Sequence, residues 1–165
     1  MKQLIQVASL VLGVGLLQPV MAEDDAMAVS IKRLSMETAL TIAQGAVESC
    51  RKEGIQVGVA VVDRDGTVQA LLRDTIAAPI TAEIAQQKAF TAVNFNAATS
   101  QLSSRANTPV GRVKGLVMSA GGLPIQAGGV LLGGIGVSGA PSGVTDENCA
   151  QAGINKVQDD LELSL

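Results

Sequence analysis

Lys88 shares a helical ridge with Ile84, Thr91 and Phe95, a face on which a solvated cation is not expected. A lysine stem packs against apolar neighbours while its ammonium reaches a polar edge. Two readings follow: contact with a ligand carboxylate, or an internal salt bridge to Asp146 or Glu147. Gly121 and Gly122 open the segment GGLPI. Successive backbone amides there can form an anion-binding concavity, or the glycines make a plain turn. Met118, just ahead of them, is the best-placed soft metal ligand, with Met27 and Met36 as the others; a methionine in a strand is ordinarily core.

Other chemistry is missing from the chain. It has no histidine and no tyrosine. Gly136-Val137-Ser138-Gly139 invites comparison with a nucleophile elbow, but a serine needs a base to take its proton. Only a lysine, Lys88 or Lys114, could serve, and a tight strand-to-loop exit explains the segment as well. The glycine pairs lack the lysine and hydroxyl of a phosphate-binding loop. Asp63 and Asp65 flank a turn, while Asp146 and Glu147 suit the positive end of a helix dipole. No catalytic residue and no metal site is assigned.

Residues 1–22 read as a signal peptide. Lys2 is the positive start, Leu4 to Leu17 an apolar stretch, and Val20-Met21-Ala22 a small-residue cleavage site. That stretch is short for a membrane span, so no stable membrane insertion is expected after cleavage. Residues 23–34 read as a flexible acidic tail, and 35–165 as one domain. The location is then periplasmic or secreted. A formal charge of −3, no basic cluster and two aromatic residues leave no footprint for nucleic acid. In an oxidising compartment, the isolated pair Cys50 and Cys149 reads as a disulfide, with two buried thiols as the alternative. Such a bridge closes a loop of about 100 residues and stabilises by roughly 3–4 kcal/mol.

The elements that must position these residues begin near Ser35, suited to cap a helix carrying Ala39, Ile42, Ala43, Ala46 and Cys50 at helical spacing. Gly54 supplies its stop. Ile55 to Val62 is almost wholly apolar and reads as a strand buried on both faces. Asp63 to Gly66 is a turn, and Thr67 to Arg73 the returning strand. A second helix follows Pro79, and a short third one runs from after Thr99 to Arg105. The remaining two or three strands lie within Leu116 to Ser138, with a turn at Ala127-Gly128-Gly129. The last helix starts at Thr145, with Ala150, Ile154, Val157 and Leu161 as its stripe. The strand Val130 to Ser138 contains Gly133, Gly134 and Gly136. Glycine weakens a strand interior, so another body must approach this backbone: a helix, a second subunit or a flat ligand. The order α-β-β-α-α-β-β(-β)-α, with short connections, predicts a mainly antiparallel sheet in an α/β (α+β) domain.

Several segments together resemble the GlcG/HbpS haem-binding-protein family, which includes the C-terminal domain of some corrinoid adenosyltransferases. They are VAVVDRDG (Val59–Gly66), AQQKAFTAVNF (Ala85–Phe95), GGLPI (Gly121–Ile125), IGVSGA (Ile135–Ala140) and the pair Asp146-Glu147. The resemblance implies a profilin-like sheet of about five strands covered by helices, with the first and last helices side by side. It implies an exported binding protein for haem or a related carboxylate-bearing small molecule, without catalysis of its own. By that resemblance Lys88 and Thr91 face Met118, Gly121 and Gly122 across the site, and Lys88 or Arg105 pairs with propionates; Lys88 is expected to matter more than Lys114. It also implies a homo-oligomer, which would cover the glycine-rich strand. An oligomeric structural or sensory module without haem is the alternative, and an enzyme acting on a small hydroxy or keto acid the third.

Overall fold

In a computed structural model, which describes residues 27–165, Ser35 caps the first helix as its type predicts. Its Oγ accepts the Thr38 amide at 3.1 Å, and α1 runs Met36–Lys52. The strands β1 (Gly58–Asp63) and β2 (Val68–Arg73) form a hairpin. Asp63 closes it by accepting the amides of Asp65 and Thr67, each at 2.9 Å. α2 spans Ile80–Phe95. Two short 3-10 segments, Thr99–Arg105 and Val110–Arg112, follow. β3 (Gly122–Ala127) and β4 (Val130–Ser138) are joined by Gly128 and Gly129. Both glycines have positive φ, 55° and 76°, as a two-residue hairpin turn of this hand requires. α3 (Gly143–Ile154) and α4 (Gln158–Leu163) complete the chain.

The sheet is antiparallel throughout, in the order β2-β1-β4-β3. Its four strands compare with the expected five or so. Leu116 and Val117 do not add a strand, because their amides bond to the Val113 carbonyl and the Thr91 hydroxyl instead of a ladder. The segment at Thr99–Arg105 is a 3-10 turn in place of an α-helix. The last helix is capped by Ser142, not Thr145, and breaks between Ile154 and Gln158, so the expected stripe is shared by α3 and α4.

Residues 31–165 form one compact unit with three layers. One sheet face, carrying Val59, Val61, Ile135 and Val137, packs on Ile42, Ala46, Ala150 and Ile154 of α1 and α3. There Cys50 and Cys149 are joined, their Cα atoms 5.6 Å apart. The other face, with Ala60 and Val62, packs on Ala85, Ala89 and Val93 of α2. Leu34 is buried in the core, and Arg33 pairs with Asp63 and Asp65. The end of the segment read as a flexible tail is therefore fixed. Residues 1–22, read above as a signal peptide, lie outside the described residues, and none of the helices among the described residues is long and apolar enough to cross a membrane.

The body that approaches the glycine-rich strand is α2. A Cβ on Gly136 would overlap the Ala85 carbonyl oxygen, one on Gly134 would lie 2.9 Å from the Ala89 oxygen, and one on Gly122 would lie 2.5 Å from the Lys88 oxygen. Because the helix already covers this strand, the argument from it for a second subunit is removed. Gly136→Ala should lower stability by about 2 kcal/mol or more, since backbone must move on both sides of the contact. Gly54→Ala, at a position with φ of 74° and open space around it, should cost only about 1 kcal/mol. Urea unfolding midpoints of the two variants check this, and equal midpoints would contradict the seating.

Candidate functional site

The buried face of α2 holds Thr81, Ala85, Lys88, Ala89, Thr91, Ala92 and Val93. Only small side chains fit against the glycine positions of β4, so the alanines take the contact. The predicted ridge crosses this face obliquely: Ile84 and Phe95 are only half-buried, while Lys88 and Thr91 are buried.

Lys88 is 3 % exposed. Its Nζ donates to the Val137 carbonyl and to Asp146 Oδ2, each at 2.9 Å. Asp146 sits in the first turn of α3, and its Oδ1 accepts the Ala140 amide at 2.9 Å. Burial pushes the Asp146 carboxyl above the usual carboxylate range, and the hydrogen bonds from Lys88 and Ala140 pull it back. Gly121, at φ 121°, closes over the pair. A Cβ there would stand 2.6 Å from Lys88 Nζ, and a non-glycine residue would also be strained. Glu147 accepts the Ser100 hydroxyl at 3.0 Å and the Gly121 amide at 3.3 Å. Thr99 Oγ1 accepts the Gly122 amide at 2.8 Å. Thr91 Oγ1 donates to the Gln87 carbonyl at 2.7 Å and accepts the Val117 amide at 2.9 Å. Met118, next in the chain, is 6 % exposed.

Lys88, Gly121 and Gly122 thus join one buried polar cluster, while Thr91, on the same buried face of α2, bonds separately to the Gln87 carbonyl and the Val117 amide, next to the buried Met118. The cluster's polar groups bond to one another and to backbone, and the Lys88 ammonium takes the internal salt bridge of the two readings. Arg105 is exposed at the end of its 3-10 segment, where its backbone carbonyl accepts the Thr108 hydroxyl. The sequence reading did not find Thr99, whose only signal is a hydroxyl following two alanines.

The same face of α2 positions an open groove. Thr91 ties Val117 to α2, which brings Lys114 and Gly115 against Glu83, Gln86, Gln87 and Phe90. Together these residues line a space of about 330 Å³, near the small end of ligand sites. Phe90 is one of only two phenylalanines, and the β1–β2 turn packs close behind it at Gly66. Gln87 donates to Glu83 at 3.2 Å, and the exposed Lys114, the cation lining the groove, is in none of the ion pairs among the described residues. A second groove, of about 360 Å³, lies between α1 and β2. There Arg51 is already clamped on Asp74 by two hydrogen bonds of 2.7 Å, which hold the Asp74 carboxyl below its usual range.

A family model described as "Haem degrading protein HbpS-like" matches residues 34–155. The chain is 33 % identical over 129 residues to the corrinoid adenosyltransferase PduO of Salmonella typhimurium, covering 73 % of this chain and 38 % of PduO. It therefore spans well under half the length of that relative. Among solved structures, a double mutant of HbpS from Streptomyces reticuli superposes with a TM-score of 0.76 at 38 % identity, covering 92 % of this chain and 99 % of that one. A PduOC–haem complex gives 0.69 at 31 % identity, with 74 % and 94 % covered.

Lys88→Met leaves the Asp146 carboxylate buried without its cation and should cost about 3–5 kcal/mol near neutral pH. Adding Asp146→Leu should restore much of that. The folded-state carboxyl is raised further in the single variant, so its deficit against wild type is smallest at low pH and grows as pH rises through the raised value. Chemical unfolding at pH 4 and pH 8 checks the sign, and an equal deficit at both would contradict it.

Proposed function

The chain belongs to the HbpS-like family, and on that premise we propose that it is an exported protein that binds haem or a related flat, carboxylate-bearing ring in the groove beside α2. The observation that carries the reading is the likeness, at 31 % identity, to a structure described as a PduOC–haem complex. The groove supplies suitable groups. Phe90 offers a ring face, Gln86 and Gln87 offer amide donors, and Lys114 offers a cation for a carboxylate. Of the two cations expected to pair with a propionate, Arg105 is exposed and Lys88 is buried on Asp146, while Lys114, expected to matter less, is the cation that lines this groove.

The groove residues fit the ring and its carboxylates. They do not fit the iron, because the common protein ligands are histidine, thiolate, methionine and tyrosinate. Here histidine and tyrosine are absent, both cysteines are in the disulfide, Met118 is buried, and the exposed Met27 and Met36 do not line the groove. No step at the iron is derived. We assign no catalytic step either: Lys88 and Asp146 are held against each other, and Ser138 is buried at the end of β4 with no histidine to activate it. Export rests on the leader-like residues 1–22.

Titrating the mature protein with haemin should give saturable binding in the micromolar range. Lys114→Ala should weaken it roughly 10- to 150-fold, the loss of one charge-assisted hydrogen bond, while Arg51→Ala should not. Non-saturable binding, or equal affinity for wild type and Lys114→Ala, would contradict the assignment.

Association of copies is part of the same proposal, supported now by the exposed apolar side chains Leu71, Ile76 and Ile80 rather than by the glycine-rich strand. Exposed apolar surface of this kind is often an interface. Light scattering of the mature protein should give a mass of at least two chains, and the mass of one chain across micromolar concentrations would contradict it.

A further inference from the structure

We infer that this protein selects its ligand as a planar ring bearing carboxylates and is indifferent to whether a metal ion sits at the ring centre. The inference rests on the proposed ring-binding reading and follows from the donors that the chain can bring to the groove. Imidazole, thiolate, thioether and phenolate give a haem iron or a zinc porphyrin its bond to protein. The first and last are missing from the sequence, Cys50 and Cys149 are bonded and fully buried, Met118 is buried, and the exposed Met27 and Met36 do not line the groove. The Lys88 amine is spent on Asp146 and Val137.

What lines the groove is Glu83, Gln86, Gln87, Phe90, Lys114 and Gly115. An ammonium does not coordinate a metal, and Lys114 is exposed on the groove. The amide oxygens of Gln86 and Gln87 are weak ligands that compete with water; the Glu83 carboxylate accepts one exposed hydrogen bond from Gln87, on Oε1 at 3.2 Å, and a carboxylate lies outside the usual set of protein ligands to haem iron. A central metal therefore keeps exchangeable water. Affinity comes instead from the ring against Phe90 and from carboxylates at Lys114. The ligand class widens accordingly, from haem alone to tetrapyrrole acids with or without a metal.

The test compares haemin, zinc protoporphyrin, iron-free protoporphyrin and its dimethyl ester on the mature protein, by fluorescence or absorbance titration under conditions that keep each monomeric. The three acids should bind with dissociation constants within about threefold of one another, and the ester at least about 10-fold more weakly. Lys114→Ala should weaken all three acids to a similar degree while unfolding at the wild-type urea concentration. Haemin binding at least about 10-fold tighter than the iron-free ring, with both saturable, would overturn metal indifference and leave the ring-binding reading standing. An ester that binds as well as the acids would overturn the carboxylate selection. Failure of all the porphyrins to saturate would overturn the ring-binding reading and this inference with it.

Discussion

α2 lies so close to the sheet that its backbone, rather than its side chains, meets the strands beneath. Gly58, Gly134, Gly136 and Gly122 each occupy a point where a Cβ would run into the helix, and Gly136 pairs directly with both Ala60 and Gly122 in the ladder. The result is a smooth seat three strands wide for the alanines of α2. Burial of apolar area is modest when both surfaces are this small. What the close approach gains is packing density and a fixed helix position. On the opposite face, larger side chains of β1 and β4 meet α1 and α3, and the Cys50–Cys149 bridge holds those helices together.

Fixing α2 fixes the polar cluster at its flank. A buried ammonium and carboxylate are costly to desolvate, and here each keeps a backbone partner as well as the other: Val137 for Lys88 and Ala140 for Asp146. The pair ties α2, the end of β4 and the start of α3 at one point. Gly121 is required over it, and Glu147 and Thr99 then hold Gly121 and Gly122 by their amides. Thr91 extends the same scheme to Val117, and so to the loop that faces Phe90. The groove is the outermost consequence of a chain of contacts that begins at the glycine seat.

Much of this was legible in the residues. The caps at Ser35 and Asp63, the doubly buried β1 and the need for a close neighbour beside Gly134 and Gly136 follow from local chemistry. So do the two-glycine turn at Gly128 and the candidate partnership of Lys88 with Asp146. Other features were not legible, for physical reasons. A ridge drawn through Ile84, Lys88, Thr91 and Phe95 carries larger side chains, but a glycine surface selects alanines, and this turns the helix. Residues 106–121 have no periodicity because their amides bond to turns and to a threonine hydroxyl, so the loop facing Phe90 leaves no pattern. Its ridge position sets Lys88 apart from Lys114 in the sequence, but a ligand contact and an internal salt bridge both stay open for it. Only the tertiary structure spends Lys88 internally and leaves Lys114 exposed.

The central claim is that this seat and cluster build a ligand groove between α2 and the Lys114–Gly115 loop. Amide chemical-shift mapping of the mature protein with zinc protoporphyrin, a diamagnetic probe, tests it most directly. The account predicts saturable shifts centred on Gln86, Gln87, Phe90, Lys114 and Gly115, with the amides of Gln44, Arg51 and Asp74 unmoved. Shifts centred on Arg51 and Asp74, with the α2 groove silent, would contradict it.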